Sequence, residues 1–333
     1  MRYTIKDIAK LTGYSTATIS RAISGKSGVS DEKRKEILNI IEELGYFPDQ
    51  TARKLRKRET KTILVIIPDI ENIYFNKFIK GLEQTARKAN YNIILGDTEK
   101  SRAIEQNYFN MLKGNVADGA IVLGPSCDVS VLLEINRLFN VIFVSDHYSD
   151  ELTTVCIDDF KSAYEATTYL YKCGYRKIAK ITGTLDLGVN SVDRLKGYKM
   201  ALESYGLEIK NEYIKKGDFK YESGYKLTKE LLDLPDRPDA IFCSNDEMAM
   251  GSLDAIKEKG LSIPDEIGVI GFDDVEYSTI YSPKISSIYQ PRWELGVLAF
   301  ELLLKKINNQ EVNKGKYILD TKLVPRETTR KPI

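Results

Sequence analysis

From Lys61 onward the chain alternates short, unbroken apolar runs with segments of helical periodicity, and this alternation constrains the fold more than any other feature. TILVIIP (62–68), YNIIL (91–95), GAIVLG (119–124) and VIFVS (141–145) read as strands, and KIAKIT, AIFCS and IGVIGF continue the series. Helices are expected near 75–89, over 101–113, near 129–138 and over 159–172. A strand that is apolar on both faces must be covered on both, which is the condition of a parallel sheet wrapped by its crossover helices. The expectation is a doubly wound α/β core, long enough for two lobes, with ligand at the carboxyl ends of the strands. No G-x-G-x-x-G and no G-x-x-x-x-G-K-[ST] follows any strand, so neither a dinucleotide nor a nucleoside triphosphate site is signalled.

Several function classes drop out on residue content. No apolar run approaches the roughly 18 residues of a membrane span. The N-terminus, MRYTIKDIAKLTGYS, is polar where a signal peptide would be apolar, so a cytoplasmic location is expected. Cys127, Cys156, Cys173 and Cys243 form no C-x-x-C pair and read as reduced, buried thiols. One histidine, His147, leaves no room for a multi-histidine metal site, and nothing supplies a nucleophile–base pair. The chain reads as a non-enzyme with no metal and no cofactor.

The formal charge of +1 conceals an asymmetry. Residues 1–60 carry 13 Lys and Arg against 8 Asp and Glu, a net of +5, while the rest carries 36 against 40. A basic head on a mildly acidic body raises the question of nucleic acid. The head itself reads as helical throughout. Ile5, Ile8 and Ala9 repeat at helical spacing, Gly13 offers the positive φ of a tight turn, and Ser15 is a good N-cap for STATISRAI. Two short helices with a small residue at their crossing form a helix-turn-helix, and short side chains at the start of the second suit a DNA major groove. A third helix, Asp31 to Leu44, begins after Ser30 and stops at Gly45, with Ile37, Ile40, Ile41 and Leu44 as its apolar stripe. In the next segment, PDQTARKLRKRETK, Arg53, Lys54, Arg56, Lys57 and Arg58 surround Leu55. Such a segment is either a charged linker or a short helix that orders on DNA, with cations on phosphates and the leucine between base steps.

In the body, the residues that follow the strands carry the chemistry. Tyr74 and Phe75 follow the first strand, Asp146 and His147 follow VIFVS, Asn245 and Asp246 follow AIFCS, and Asp273 and Asp274 follow IGVIGF. Arg194 opens the helix RLKGYKMAL and Phe219 lies in KGDFKYESGY. Carboxylates, an amide and an arginine among aromatic rings suit a polyhydroxylated or heterocyclic ligand. Each residue also has a plainer reading as a helix cap or core residue, and Asp246 and Asp274 are read as caps.

TIKDIAKLTGYSTATISRAISG, GVSDEKRKEILNIIEELGY and FPDQTARKLR, followed by IIPDIENIYFNKFIKGLE, DGAIVLG, CSNDEMAMG, IPDEIGVIGFDD and SPKISSIYQP, resemble the lactose-repressor (LacI/GalR) family of bacterial transcription regulators over nearly the whole chain. Tyr14 stands where that family usually has a small aliphatic residue, and Asp49 where it has asparagine. The resemblance implies a helix-turn-helix headpiece (1–46), a hinge helix (47–60) and a periplasmic-binding-protein-like core. The two lobes of that core would be 61–160 with 291–320, and 161–290 with 321–333, with crossovers near 158–162, 288–292 and 318–323. It implies DNA contacts at Thr4, Ser15, Thr16, Ala17, Thr18 and Arg21, and at Ala52, Arg53, Leu55 and Arg56 in the hinge. It implies an effector site at Tyr74, Phe75, Asp146, Arg194, Phe219, Asn245 and Asp273, with His147 at its edge. The expected function is a homodimeric repressor of a pseudo-palindromic operator, controlled by a sugar or sugar derivative. A nucleobase or nucleoside, or a protein co-effector, is the alternative, and a sugar-binding protein without a DNA role a more distant one.

Overall fold

Capping decides where the first helices begin. The computed structural model describes residues 3–25, 27–45, 59–184 and 189–333, and the chain divides into two compact units, Met1–Thr60 and Lys61–Ile333. In the first, α1 (Ile5–Thr12) starts at a capping box: the Asp7 N–H donates to Thr4 Oγ1, and the Thr4 N–H donates back to the Asp7 carboxylate. It ends at Gly13, whose φ of 70° is open to glycine at little cost. α2 (Thr16–Ile23) is capped by Ser15, which accepts from the Thr18 N–H at 3.1 Å, and α3 (Asp31–Glu43) by Ser30. Ile8, Ile19, Ala22 and Ile37 are buried together, with Ala9, Ile23, Ile41 and Leu44 packed around them. Ile40 does not join this core. The stripe that faces it runs 37, 41, 44, and position 40 lies to one side of that line. Tyr14 packs against this core and also reaches α3, its hydroxyl donating to Glu36 at 2.8 Å.

The second unit holds two parallel sheets. The larger one orders β1 (Thr62–Ile67), β2 (Asn92–Asp97), β3 (Gly119–Leu123), β4 (Val141–Val144), β5 (Thr153–Ile157) and a late strand, Gly315–Leu319. All six pair in parallel, with β2 and the late strand at the edges. Every residue of β1 is buried, as its unbroken apolar run requires of a central strand. β2 is mostly half-buried, with Asn92 and Leu95 exposed, because an edge strand needs cover on fewer sides. The smaller sheet contains β6 (Ile178–Thr182), β7 (Ile214–Lys216), β8 (Ala240–Cys243) and β9 (Gly268–Ile270) in the order β7-β6-β8-β9. β10 (Ser287–Tyr289) pairs antiparallel with Lys322–Val324, so the late parallel strand is β11 and this one β12.

The helices are α4 (Tyr74–Lys88), α5 (Arg102–Lys113) and α6 (Val129–Leu138) around the larger sheet. α7 (Asp159–Lys172), α8 (Val189–Ser204), α9 (Tyr221–Leu232) and α10 (Asp246–Glu258) serve the smaller, followed by a short α11 (Tyr277–Ile280) and α12 (Arg292–Ile307). α12 returns to pack on α4 at two glycines. A Cβ at Gly81 would lie 2.3 Å from the Trp293 carbonyl oxygen, and one at Gly296 would lie 2.2 Å from that of Phe78. The chain passes between the halves after Ile157, around Tyr289–Arg292 and between Leu319 and Lys322. One apolar cluster runs through both, from Val65 and Phe78 to Tyr198 and Phe272. β5, β7, β10, β11 and β12 go beyond the apolar runs read from the sequence. β7, β10 and β12 are only three residues long and β11 is partly exposed, whereas β5 is fully buried but opens on two threonines, Thr153 and Thr154. α8 also starts five residues before Arg194, so that arginine sits in its second turn rather than opening it.

Candidate functional site

A cleft of ≈ 120 Å³ lies at the carboxyl ends of β1, β4 and β6, and it gathers residues from both halves of the second unit. Six of the eight expected positions line it: Tyr74, Phe75, Asp146, Arg194, Phe219 and Asp273. Arg194 is the best-anchored. Its Nε donates to Asp159 at 2.7 Å, its Nη1 donates to the Ser244 carbonyl at 2.6 Å, and its guanidinium lies 3.7 Å above the Phe272 ring. Burial works against the Arg194 charge, but Asp159 and Asp273 overcome it and hold its pKa up. Burial likewise raises the Asp159 carboxyl, and Arg194 pulls it back. The planar fork suits the arginine to this: two groups fix one edge and the rest can face a ligand.

Asp273 shows the same competition at an intermediate setting. Burial pushes its carboxyl up to about 6, against the pull of Arg194, Arg292 and Gln290. Gln290 connects the two walls, donating from Nε2 to Asp273 at 2.6 Å and accepting from the Tyr74 hydroxyl at 3.1 Å. Burial and the Asp273 charge push the Tyr74 phenol well up, so it serves as a hydrogen-bond donor. Asp146 accepts from the Asn190 N–H at 2.9 Å, in the first turn of α8, where a negative charge is favourable.

The backbone here departs from ordinary conformations. Ser145, Phe219 and Asp273 have φ of 74°, 72° and 101°. Positive φ in such residues is sparsely populated and persists where surroundings enforce it. For Phe219 two of those surroundings are visible. Asn245 donates from Nδ2 to the Phe219 carbonyl at 2.8 Å, and Gly183 leaves room for the ring, since a Cβ there would lie 1.9 Å from it.

Asn245 is therefore not in the cleft wall. It caps α10, with its Oδ1 accepting from Met248 N–H, while its amide holds Phe219 from behind. His147 also lies outside the lining. Its Nε2 meets Asp150 at 2.9 Å and its Nδ1 meets Thr154 at 3.4 Å, because neighbours after a strand point to opposite sides. Neither Asp246 nor Asp274 is a cap. Asp246 is fully buried, accepting from Val275 N–H and Ser287 Oγ at 2.8 and 2.5 Å, and burial pushes its carboxyl well up. Asp274 pairs with Arg326 at 2.6 Å. The cleft also uses residues that strand-end reasoning passed over, among them Gln290, Asn72, Ser126, Asp69 and Lys220. Gln290 had a signal, a polar residue between Ile288-Tyr289 and Pro291; the others sit in loops with no periodicity to mark them.

In the headpiece, Thr16, Ala17 and Arg21 stand exposed on α2. Thr4 and Ser15 are exposed caps, and the half-buried Thr18 hydroxyl bonds that of Ser15 at 2.9 Å. Ala52, Arg53, Leu55 and Arg56 lie outside the described residues. Among the described residues, no group of three or more His, Cys, Asp or Glu could hold a metal, and no helix is long and apolar enough to cross a membrane. All four cysteines are buried and free.

Residues 4–49 match the family described as bacterial regulatory proteins, lacI family. Residues 60–326 match periplasmic binding proteins and the sugar binding domain of the LacI family. The HTH-type transcriptional repressor CytR of Escherichia coli K12 is 35% identical over 329 residues, 98% of this chain and 96% of that protein. A structure of a LacI family regulator from Enterococcus faecium with bound ribose is 27% identical, with a TM-score of 0.72 over 82% of this chain and 99% of that one. The lac repressor dimer bound to operator shares the fold, with a TM-score of 0.89 at 24% identity over 98% of this chain and 99% of that one.

Proposed function

This chain belongs to the lacI family of bacterial regulatory proteins, a family of DNA-binding transcriptional repressors with an effector domain, and on that premise we propose that it is a homodimeric repressor whose operator affinity is set by a sugar in the cleft. The observation that carries the sugar is the set of polar groups around Arg194. Asp146 and Asp273 offer carboxylate acceptors, the Arg194 fork offers donors, and Phe219, Tyr74 and Phe75 supply apolar faces. Neighbouring hydroxyls of a sugar are both donors and acceptors and match such a set, while its C–H faces stack on rings. The ribose bound by the Enterococcus faecium relative supports this ligand class. A nucleoside is the second reading, favoured by the three aromatic side chains of the lining.

Thr16, Ala17 and Arg21 on α2 enter the major groove, with Thr4, Ser15 and Thr18 near the backbone, and Ala52, Arg53, Leu55 and Arg56 act at the hinge. Two heads related by a two-fold axis read a pseudo-palindromic operator in the cytoplasm. The proposed lobes, 61–160 with 291–320 and 161–290 with 321–333, change their relative orientation when sugar fills the cleft, and the ligand's differential affinity for the two orientations shifts DNA binding. A calorimetric screen of the full-length protein against pentoses, hexoses, sugar phosphates and nucleosides tests the reading. The expected result is saturable binding of a sugar that changes affinity for an operator selected in vitro. Saturable binding of a nucleoside alone would replace the sugar, and binding by a variant lacking Arg194 would move the site.

A further inference from the structure

Lys220 lies at the mouth of the cleft, just before α9 on the small-sheet half, and its ammonium reaches across to the other half. It meets the Asp69 carboxylate at 3.0 Å and that of Glu71 at 3.3 Å, both in the turn between β1 and α4. Most ion pairs of the second unit join neighbours within one half, as Arg102 with Asp128 or Lys177 with Asp236 do. The Lys220 pair instead spans 149 residues of chain to Glu71, and none of its members lies in the three crossing segments. It therefore ties the halves together where no covalent connection does.

We infer that Lys220, Asp69 and Glu71 form an ionic latch across the cleft mouth that biases the two halves toward their closed relation and must break when they separate. Each partner is set up locally for this. The Asp69 carboxylate accepts from the Glu71 N–H at 3.0 Å, which fixes its orientation, and the Lys220 N–H donates to Asp218 at 2.9 Å, which fixes the root of the lysine. The Asp69 side chain is 18% exposed and that of Lys220 31%, so the pair is screened less than one on open surface, whereas Glu71, 81% exposed, adds a weaker second attraction. Asp69 is also held below the ordinary carboxylate range: its burial opposes this, and Lys220, the Glu71 N–H and Lys100 together outweigh it. A pair of this kind shifts a closed-to-open ratio by about three- to tenfold. That is enough to set the resting orientation, yet weak enough for a ligand to work against.

The latch rests on the geometry of the halves and not on which sugar fills the cleft, so its test needs no ligand. Nitroxide labels on Lys77→Cys in α4 and Lys226→Cys in α9, both exposed, report the separation of the halves by pulsed electron resonance. Full-length labelled protein is diluted in excess unlabelled protein, and the native cysteines are buried. The expected result is that Lys220→Met enlarges a longer-distance population about three- to tenfold, that Lys220→Arg restores the original distribution, and that about 1 M salt reproduces the change in the parent but adds little to Lys220→Met. Identical distributions for the parent and Lys220→Met overturn the latch, as does a change in Lys220→Met that the arginine leaves unrepaired. Failure to bind any sugar would refute the effector reading and leave this result standing.

Discussion

Replacing Arg194 with methionine separates its structural role from its ligand role. The methionine fills much of the space beside Phe272 but removes both anchors, at 2.7 Å to Asp159 and 2.6 Å to the Ser244 carbonyl. What remains is a carboxylate with 8% of its side chain exposed and no counter-charge. Breaking a buried pair from one side costs about 3–5 kcal/mol, because the orphaned charge keeps its desolvation penalty. For a unit of this size each kcal/mol moves the midpoint by about 2–4 °C, so Arg194→Met should melt on the order of 10 °C below the parent. The sign with pH follows from Asp159, already raised above its ordinary 3.8. Without Arg194 it rises further, so the folded state binds more protons than the unfolded one. The penalty is then full above the folded pKa and fades as pH falls toward 3.8. The double variant with Asp159→Asn removes the orphan and should recover about 1–3 kcal/mol relative to Arg194→Met. Calorimetric melting from pH 5 to 8 across the three proteins measures all of this. Arg194→Met melting within about 1 kcal/mol of the parent at every pH, or a double variant no better than the single, would refute the buried-pair reasoning.

Three further outcomes are expected. Lys180 is fully buried in β6, 2.7 Å from Ser244 Oγ and 3.5 Å from the Phe242 ring, and burial holds its pKa well below the ordinary lysine value. The unfolded chain therefore binds the extra proton, and the penalty fades as pH rises toward 10.5. Lys180→Met should stabilise by about 1–3 kcal/mol at pH 7 and flatten the dependence of stability on pH between 7 and 9, as followed by urea unfolding. Gly183→Ala places a Cβ where the Phe219 ring lies, so ligand affinity by calorimetry should fall about tenfold or more with operator binding intact. Leu55→Ala should weaken operator binding by about tenfold or more while leaving non-specific DNA within about twofold, in a mobility assay; equal losses on both DNAs would remove the wedge role.

The parts that could be read from the chain were those decided by local physics. Continuous apolar strands such as 62–67 announced a sheet covered on both faces, and Thr4, Ser15 and Ser30 announced helix starts, because a cap and its N–H lie three residues apart. The residue classes of the cleft were legible too, since strand ends in a doubly wound fold converge on one side. Individual roles were not. Asn245 looks from sequence like a ligand group and is a cap that holds Phe219 by its carbonyl. Asp246 looks like a cap and is a fully buried tie to Ser287 and Val275.

Sequence alone determined the α/β alternation, the charge split between head and body and the short list of strand-end residues, because each depends on neighbours a few residues apart. Only the tertiary structure decided that Asp159 neutralises Arg194, that Gln290 bridges Tyr74 and Asp273, and that Lys220 reaches Asp69 and Glu71. Those contacts join residues 17 to 216 positions apart, and their strength depends on burial, which removes water from the pair. A charge at a strand end carries no mark of whether it will meet solvent, a ligand or a counter-charge until the chain has closed around it.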